Sequence, residues 1–185
     1  TFRVPEATRV RIEARLREFV EPGAHLYLVA PGGHTNVAKS WPRACVEEFE
    51  EGLSGFDARG RTLVVDEVSL RERFGDLDVP FAHLLITLVN ASRAFVGAAA
   101  GPLHAALAMH ACPVVGIWLA HHPDWYDELN LESIHLTGPL VASKRLEMRK
   151  ATATKPPGVR ARTVAFPQRI PTAGDVFEVL PELLR

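Results

Sequence analysis

The sequence predicts a doubly wound α/β domain, a mainly parallel sheet with helices on both faces. Three observations carry this expectation. Short apolar runs alternate with stretches of helical periodicity along most of the 185 residues. The runs are continuously apolar instead of alternating, so both faces of each strand should be covered. Two turns almost free of side chains follow two of these runs, after Ala30 and after Val96. Ligands of such sheets bind at the carboxyl ends of strands.

The elements follow in order. Residues 7–20 place Val10, Ala14, Leu16 and Phe19 among Arg and Glu, an amphipathic helix stopped by Pro22-Gly23. His25 to Ala30 is rich in strand formers and ends at Pro31-Gly32-Gly33. After Trp41-Pro42, residues 43–53 carry Ala44, Val46, Phe49 and Leu53 at helical spacing, and Gly55 to Gly60 reads as a turn. Arg61 to Asp66 is the next strand. Residues 67–80 are polar and irregular, with room for a short helix. Phe81 to Ser92 is a strongly apolar helix, Ala94 to Gly97 a strand, Pro102 to His110 a helix and Pro113 to Trp118 a strand. His121 to Asn130 is a loop rich in aromatic and acidic residues. Residues 138–170, with basic residues clustered from Lys144 to Arg162 and a Pro156-Pro157-Gly158 break, read as a long irregular insertion. Gly174 to Leu184 is a closing helix with Asp175 at its start and Arg185 at its end, matching the helix dipole. The whole, 1–185, is expected to be a single domain.

Composition narrows the function. Apolar residues make up 47% and charged residues 23%, and the net charge is −1, so no global field draws the chain to nucleic acid or a membrane surface. The basic cluster reads as a solvated loop. No apolar run approaches a membrane span. Cys45 and Cys112 have neither a C-x-x-C partner nor metal spacing, as expected of reduced thiols in a reducing compartment. His34, His110, His121, His122 and His135 make no metal set. Trp41, Trp118 and Trp125 read as packing anchors. No Gly-x-Ser-x-Gly elbow supports a hydrolase triad. The sequence opens on Thr instead of Met, so a longer parent chain is expected.

The two turns carry the chemistry. In the first, Gly32 and Gly33 allow close backbone approach, Thr35 offers a hydroxyl and Lys39 a mobile ammonium, all suited to phosphate oxygens. Its spacing is not that of a Walker loop. In the second, Ala98-Ala99-Ala100-Gly101 leads into a helix with Pro102 in its first turn. Amides and the positive end of the helix dipole are thereby presented to an anion, with His104 close by. No G-x-G-x-x-G occurs, so a nicotinamide or flavin fingerprint is unsupported.

The order of these pieces resembles the C-terminal, donor-binding half of family 9 glycosyltransferases, the heptosyltransferase-like group with the GT-B fold. The resemblance runs from about His25 to Asp127 and again, weakly, at the closing helix. Its most specific piece is Gly101-Pro102-Leu103-His104 with the small-residue helix and Pro113-Val114-Val115 behind it. Lys39-Ser40-Trp41-Pro42 matches the family's Lys-x-Trp-Pro, and His122-Pro123-Asp124-Trp125-Tyr126 is similar to the loop after its last core strand.

The resemblance implies a nucleotide-diphosphate sugar donor, often ADP-heptose; no cofactor is expected, and with no metal-ligand cluster in the sequence transfer is expected to be metal-independent. Lys39 and Thr35 would meet the diphosphate, Lys39 as the catalytic residue offsetting leaving-group charge. Gly32, Gly33, Ala100, Gly101, Pro102 and His104 would line the same donor site. Glu67, or alternatively Asp66, would hold the ribose, and residues near Pro80 and Phe81 would flank the base. The acceptor, a cell-envelope or capsular glycan or a lipid-linked chain, would be held by an N-terminal domain that also supplies the general base. Such a bacterial enzyme, acting in lipopolysaccharide synthesis, would be cytoplasmic or peripheral to the inner membrane. One departure matters. The family's acid two positions before the glycine is Ala99 here and its Ser/Thr neighbour is Ala100, which removes an anion and several acceptors. Two alternatives stay open. One is a catalytically degenerate binding or assembly module. The other is a nucleotide-sugar epimerase, which would want a further carboxylate pair that the sequence does not offer.

Overall fold

A computed structural model describes residues 3–32, 37–120, 133–139 and 162–185. Six strands form one parallel sheet in the order β2-β1-β3-β4-β5-β6. The elements are α1 (Glu6–Leu16), β1 (His25–Ala30), α2 (Arg43–Phe56), β2 (Gly60–Val64), α3 (Glu67–Phe74), α4 (Phe81–Ala91), β3 (Ala94–Ala98), α5 (Gly101–Met109), β4 (Val114–Trp118), β5 (Ser133–Thr137), β6 (Arg162–Ala165) and α6 (Ala173–Leu183). The expected doubly wound α/β class is the class observed.

Each face of the sheet has its own apolar core, which is why the strands are apolar on both sides. Leu26, Leu28, Phe95, Val114 and Trp118 pack under α1, α3, α4 and α5. Tyr27, Val29, Val96, Val115, Ile117, Ile134 and Leu136 pack under α2 and α6. Every residue of β3, β4 and β5 is buried, whereas β6 is a half-exposed edge tied to α6 by Arg162–Glu182 at 2.6 Å.

Several boundaries differ from the sequence expectation. The first helix stops at Leu16, not Val20. The next residues continue as turns, with the Phe19 and Val20 amides bonded to the Leu16 carbonyl, before Gly23 takes φ +84°. The second helix does not end at Leu53. It runs through Gly52 and Gly55 to Phe56; Gly52 serves packing instead of a turn, since a side chain there would strike Phe177 at 2.8 Å and the bare position lets α6 approach. The polar stretch 67–80 holds a capped helix, α3, and a 3-10 turn at Gly75–Leu77.

Residues 133–137 form an inner strand, between β4 and β6, that carries no strand signal in the sequence. The expected insertion 138–170 is corrected at its end: Arg162–Ala165 is a sheet strand pairing with β5. The loop 121–130 and the basic cluster up to residue 161 lie outside the described residues.

Candidate functional site

Strand order reverses between β1 and β3. The chain winds from β1 outward to β2, then returns beside β1 as β3 and proceeds the other way. Ala30 and Gly97 pair in register, so the loops leaving β1 and β3 rise side by side from one rim. Outside such a switch point the connections diverge and leave a crevice. A cleft of about 640 Å³ lies there, lined by Gly32 from the β1 loop, Pro102 from the start of α5, and residues drawn from between Val65 and Leu84.

Different parts of the sequence build its walls. The Asp66 carboxylate caps α3 by accepting from the Ser69 N–H at 2.7 Å. Leu70 and Phe74, four residues apart, turn inward on the helix so started and bury at 5% and 2% exposure. Glu67 and Arg71 stand on the same cleft wall, 3.7 Å apart and exposed. The 3-10 turn closes on Asp78, which holds a left-handed conformation at φ +48° and so delivers Val79 and Pro80 to the start of α4. Phe81 opens α4 on the cleft with half its surface exposed. The cleft thus has an apolar floor, a rim of carboxylates with one guanidinium, and a backbone end.

That backbone end is the start of α5. Ala100 is its N-cap, extended at φ −146° and ψ 173°, with no side-chain cap. Pro102 has no N–H to leave unpaired and the His104 N–H returns to the Ala100 carbonyl at 3.2 Å. Nothing lies within 4 Å of where a Gly101 side chain would begin. Ala99 is 9% exposed, its amide bonded to the Ile117 carbonyl at 3.1 Å, and its methyl belongs to the core beneath. The aligned peptide dipoles place partial positive charge at this end.

The β1 loop is fastened at its far side. The Trp41 N–H donates to the Pro31 carbonyl at 2.6 Å and its indole to the Pro171 carbonyl at 2.7 Å, with the side chain 1% exposed. This anchor explains the Trp-Pro pair that precedes α2. Lys39, half-buried, ends a 3-10 turn (Val37–Lys39) two residues before it.

Of the sequence-expected site residues, Gly32, Glu67 and Pro102 line the cleft, together with Asp66 and Phe81. Ala100, Gly101 and His104 belong to the same helix start as Pro102 without lining the cleft. Lys39 does not line it; its neighbours Ala38 and Ser40 edge a second groove with Trp41, Leu119 and Ile170. Gly33 and Thr35 lie outside the described residues. Sequence reasoning missed Arg71, Phe74, Asp78 and Val79. An Asp ahead of two apolar residues four apart is a helix-start signal that reaches the first two. Among the described residues no cluster of His, Cys, Asp or Glu is arranged to hold a metal ion, and no helix is long and apolar enough to cross a membrane.

Fold and cleft together define a doubly wound α/β domain with a crevice at its topological switch point. Among solved structures, the chain is similar to E. coli ADP-heptose LPS heptosyltransferase II, with a TM-score of 0.58 and 17% identity. The match covers 100% of this chain and 53% of that one. The likeness is one of fold. No family model matches the sequence, and no curated protein does.

Proposed function

We propose that this chain is the donor-binding half of a metal-independent glycosyltransferase that takes a nucleotide-diphosphate sugar of the ADP-heptose kind. The observation that carries the reading is the meeting of the Gly32 loop, the uncapped start of α5 and the Asp66/Glu67 carboxylates on one switch-point cleft. In this reading the diphosphate lies between the β1 loop and the α5 amides. The ribose hydroxyls donate to Glu67 or Asp66. The base slides between the apolar floor and Phe81, whose exposed ring offers a stacking face. On transfer the bond from the sugar anomeric carbon to the diphosphate oxygen breaks and the electron pair stays on that oxygen. Lys39 does not line the cleft itself; in this reading its long flexible side chain reaches in from the segment after the β1 loop and, with Thr35 and the helix end, meets the growing charge. A separate domain brings the acceptor, a cell-envelope glycan or lipid-linked chain, and the base that takes its proton. A cytoplasmic place at the inner membrane belongs to this proposal.

The test is calorimetric titration of the chain with ADP, UDP and GDP and their sugars. Saturable binding of at least one diphosphate is expected. Lys39→Ala should weaken it by about 1.5–3 kcal/mol, roughly ten- to hundredfold, the worth of a charge-assisted hydrogen bond. No saturable heat with any diphosphate, or unchanged binding by Lys39→Ala, defeats the proposal.

The burial of Ala99 favours a second reading, a binding or assembly module that has given up transfer. Its methyl fills core where the resembling family has an acid. Ala99→Asp, titrated with the same diphosphates and sugars, separates the two. Recovered donor affinity points to decay, and no effect points to a donor that never needed the acid.

A further inference from the structure

We infer that Trp118 and His135 form a positioning relay that fixes the His104 imidazole beside the start of α5. The functional part of this inference rests on the donor-site reading above.

His135 is a histidine at 0% exposure in the middle of β5, with Ser133 and Thr137 also buried on the same face of the strand. The Trp118 indole N–H donates to its Nδ1 at 2.9 Å. An indole nitrogen can only donate, so Nδ1 carries the lone pair and the proton sits on Nε2. Nε2 lies 3.2 Å from the Ser133 hydroxyl oxygen, which accepts it. Both ring nitrogens are engaged, and the imidazole is held in one tautomer and one orientation.

Room for the Trp118–His135 bond comes from Gly116. It pairs with His135 across the strands, and a Cβ there would stand 2.7 Å from both His135 Nδ1 and Trp118 Nε1. A residue larger than glycine would sever the bond. Trp118, itself at 0% exposure, presents its ring to His104 in an edge-to-face contact, centroids 5.9 Å apart and planes at 71°. Its contact with His135 is similar, at 5.7 Å and 69°. One indole therefore bridges a fixed buried imidazole and the half-buried imidazole on the first turn of α5.

A leucine or phenylalanine would fill the site of His135 without the cost of burying a polar ring. What the histidine adds over packing is direction: it sets the indole's rotation, and the indole wall selects among the His104 rotamers. His104 stands four residues after the N-cap, where a ligand on the helix end would meet it. Trp118 and His135 thus act on that ligand through His104, without touching it.

The experiment compares wild type, Trp118→Phe, His135→Leu and His135→Gln, each checked for folding by thermal melting. Two readouts are taken: ADP affinity by calorimetry, and the His104 ring resonances by nitrogen-15 NMR, assigned with His104→Gln. Trp118→Phe keeps a ring and removes the donor, so it carries the test even if His135→Leu does not fold. The expected result is a loss of ADP affinity of about three- to tenfold in Trp118→Phe and His135→Leu, as for freeing one ordered side chain. The His104 resonances should shift in both, while His135→Gln, which keeps an acceptor for the indole, stays near wild type in both readouts. If wild type binds ADP while both disruptive variants bind within twofold of it with His104 unmoved, the relay is overturned and the donor site stands. If wild type binds no nucleoside diphosphate, the donor reading fails on its own; the relay's geometry then stands if the His104 resonances move as expected and falls if they do not.

Discussion

Replacing Gly32 by alanine tests whether the β1 loop is built around a backbone that only glycine tolerates. Gly32 has φ +133°, and a Cβ there would stand 2.8 Å from Ser40 Oγ and 2.9 Å from Ser40 Cα. The hydroxyl can swing away, but the Cα cannot. Ser40 precedes Trp41, which is buried and bonded through its amide to Pro31 and through its indole to Pro171. The variant must strain the backbone, at about 1–3 kcal/mol, and either overpack or break the Trp41–Pro31 bond, at about 1–3 kcal/mol more. A loss near 3 kcal/mol corresponds to roughly 6–12 °C in Tm for a chain of this size. Gly101 is the matched control, at the first position of α5 with open space where a side chain would begin. Gly101→Ala should be neutral or stabilise by about 0.4–1 kcal/mol, through the unfolded chain. Urea unfolding followed by far-ultraviolet circular dichroism, together with thermal scans, reads both. Gly32→Ala melting within about 1 °C of wild type, or Gly101→Ala losing as much as Gly32→Ala, would refute the packing argument.

Three further outcomes follow from the same structure. Burial raises the Asp57 carboxyl, but hydrogen bonds from His25 at 2.7 Å, from the Tyr27 hydroxyl at 2.9 Å and from the Arg59 N–H outweigh it and hold the pKa below the ordinary value; Asp175 is lowered by Arg169 first and then, against its burial, by Thr172. A carboxyl with a folded pKa below its unfolded value, about 3.9, stabilises fully above that pH and loses the contribution as pH falls through the folded value, so urea midpoints should drop below about pH 4 and drop less when both residues are Asn. Burial pushes both thiols up, and Cys112, 6% exposed with the Ser92 hydroxyl 3.3 Å from its sulfur, should react with a disulfide reagent only as fast as the chain opens, after the half-buried Cys45; rapid labelling of Cys112 contradicts that burial. Ala100→Asp should cap α5 through the Leu103 N–H, because Pro102 has none to offer, raising stability by about 0.5–2 kcal/mol. The same carboxylate should weaken ADP binding, and tighter binding in the titration would count against an anion at that helix end.

The sequence made the central strands legible because β1, β3 and β4 are apolar without interruption, and burial on two faces leaves that trace. The rim of the site was legible for a related reason. Loops of Gly and Ala after such strands have little to pack, so their place at strand ends already located them. β5 left no comparable mark. Ser133, His135 and Thr137 are polar, and their burial is visible only once Trp118 and Gly116 stand beside them. β6 is a half-exposed edge within a basic segment, where charge hides a short strand. Gly52 and Gly55 signalled a helix end when read locally, yet Gly52 is the point where Phe177 enters, a constraint from a residue 125 positions away. The cleft walls of α3 escaped for want of length. Eight residues with two inward side chains give little periodicity, and the helix is secured by its Asp66 cap.

The distribution of charge along the cleft constrains what can fill it. Asp66, Glu67 and Asp78 gather on one wall, with Arg71 as the cation lining it, over the apolar floor of Val65, Leu70, Phe74 and Leu84. An anion at that end would face like charges, and a hydroxyl-bearing group would find acceptors. At the other end, among the described residues, Ala99 and Ala100 stand at the helix start in place of an acid, and the dipole of α5 favours negative charge. Inorganic phosphate satisfies only the second end and a free nucleoside only the first. A ligand that carries a flat apolar group, adjacent hydroxyls and an anionic tail in that order satisfies both.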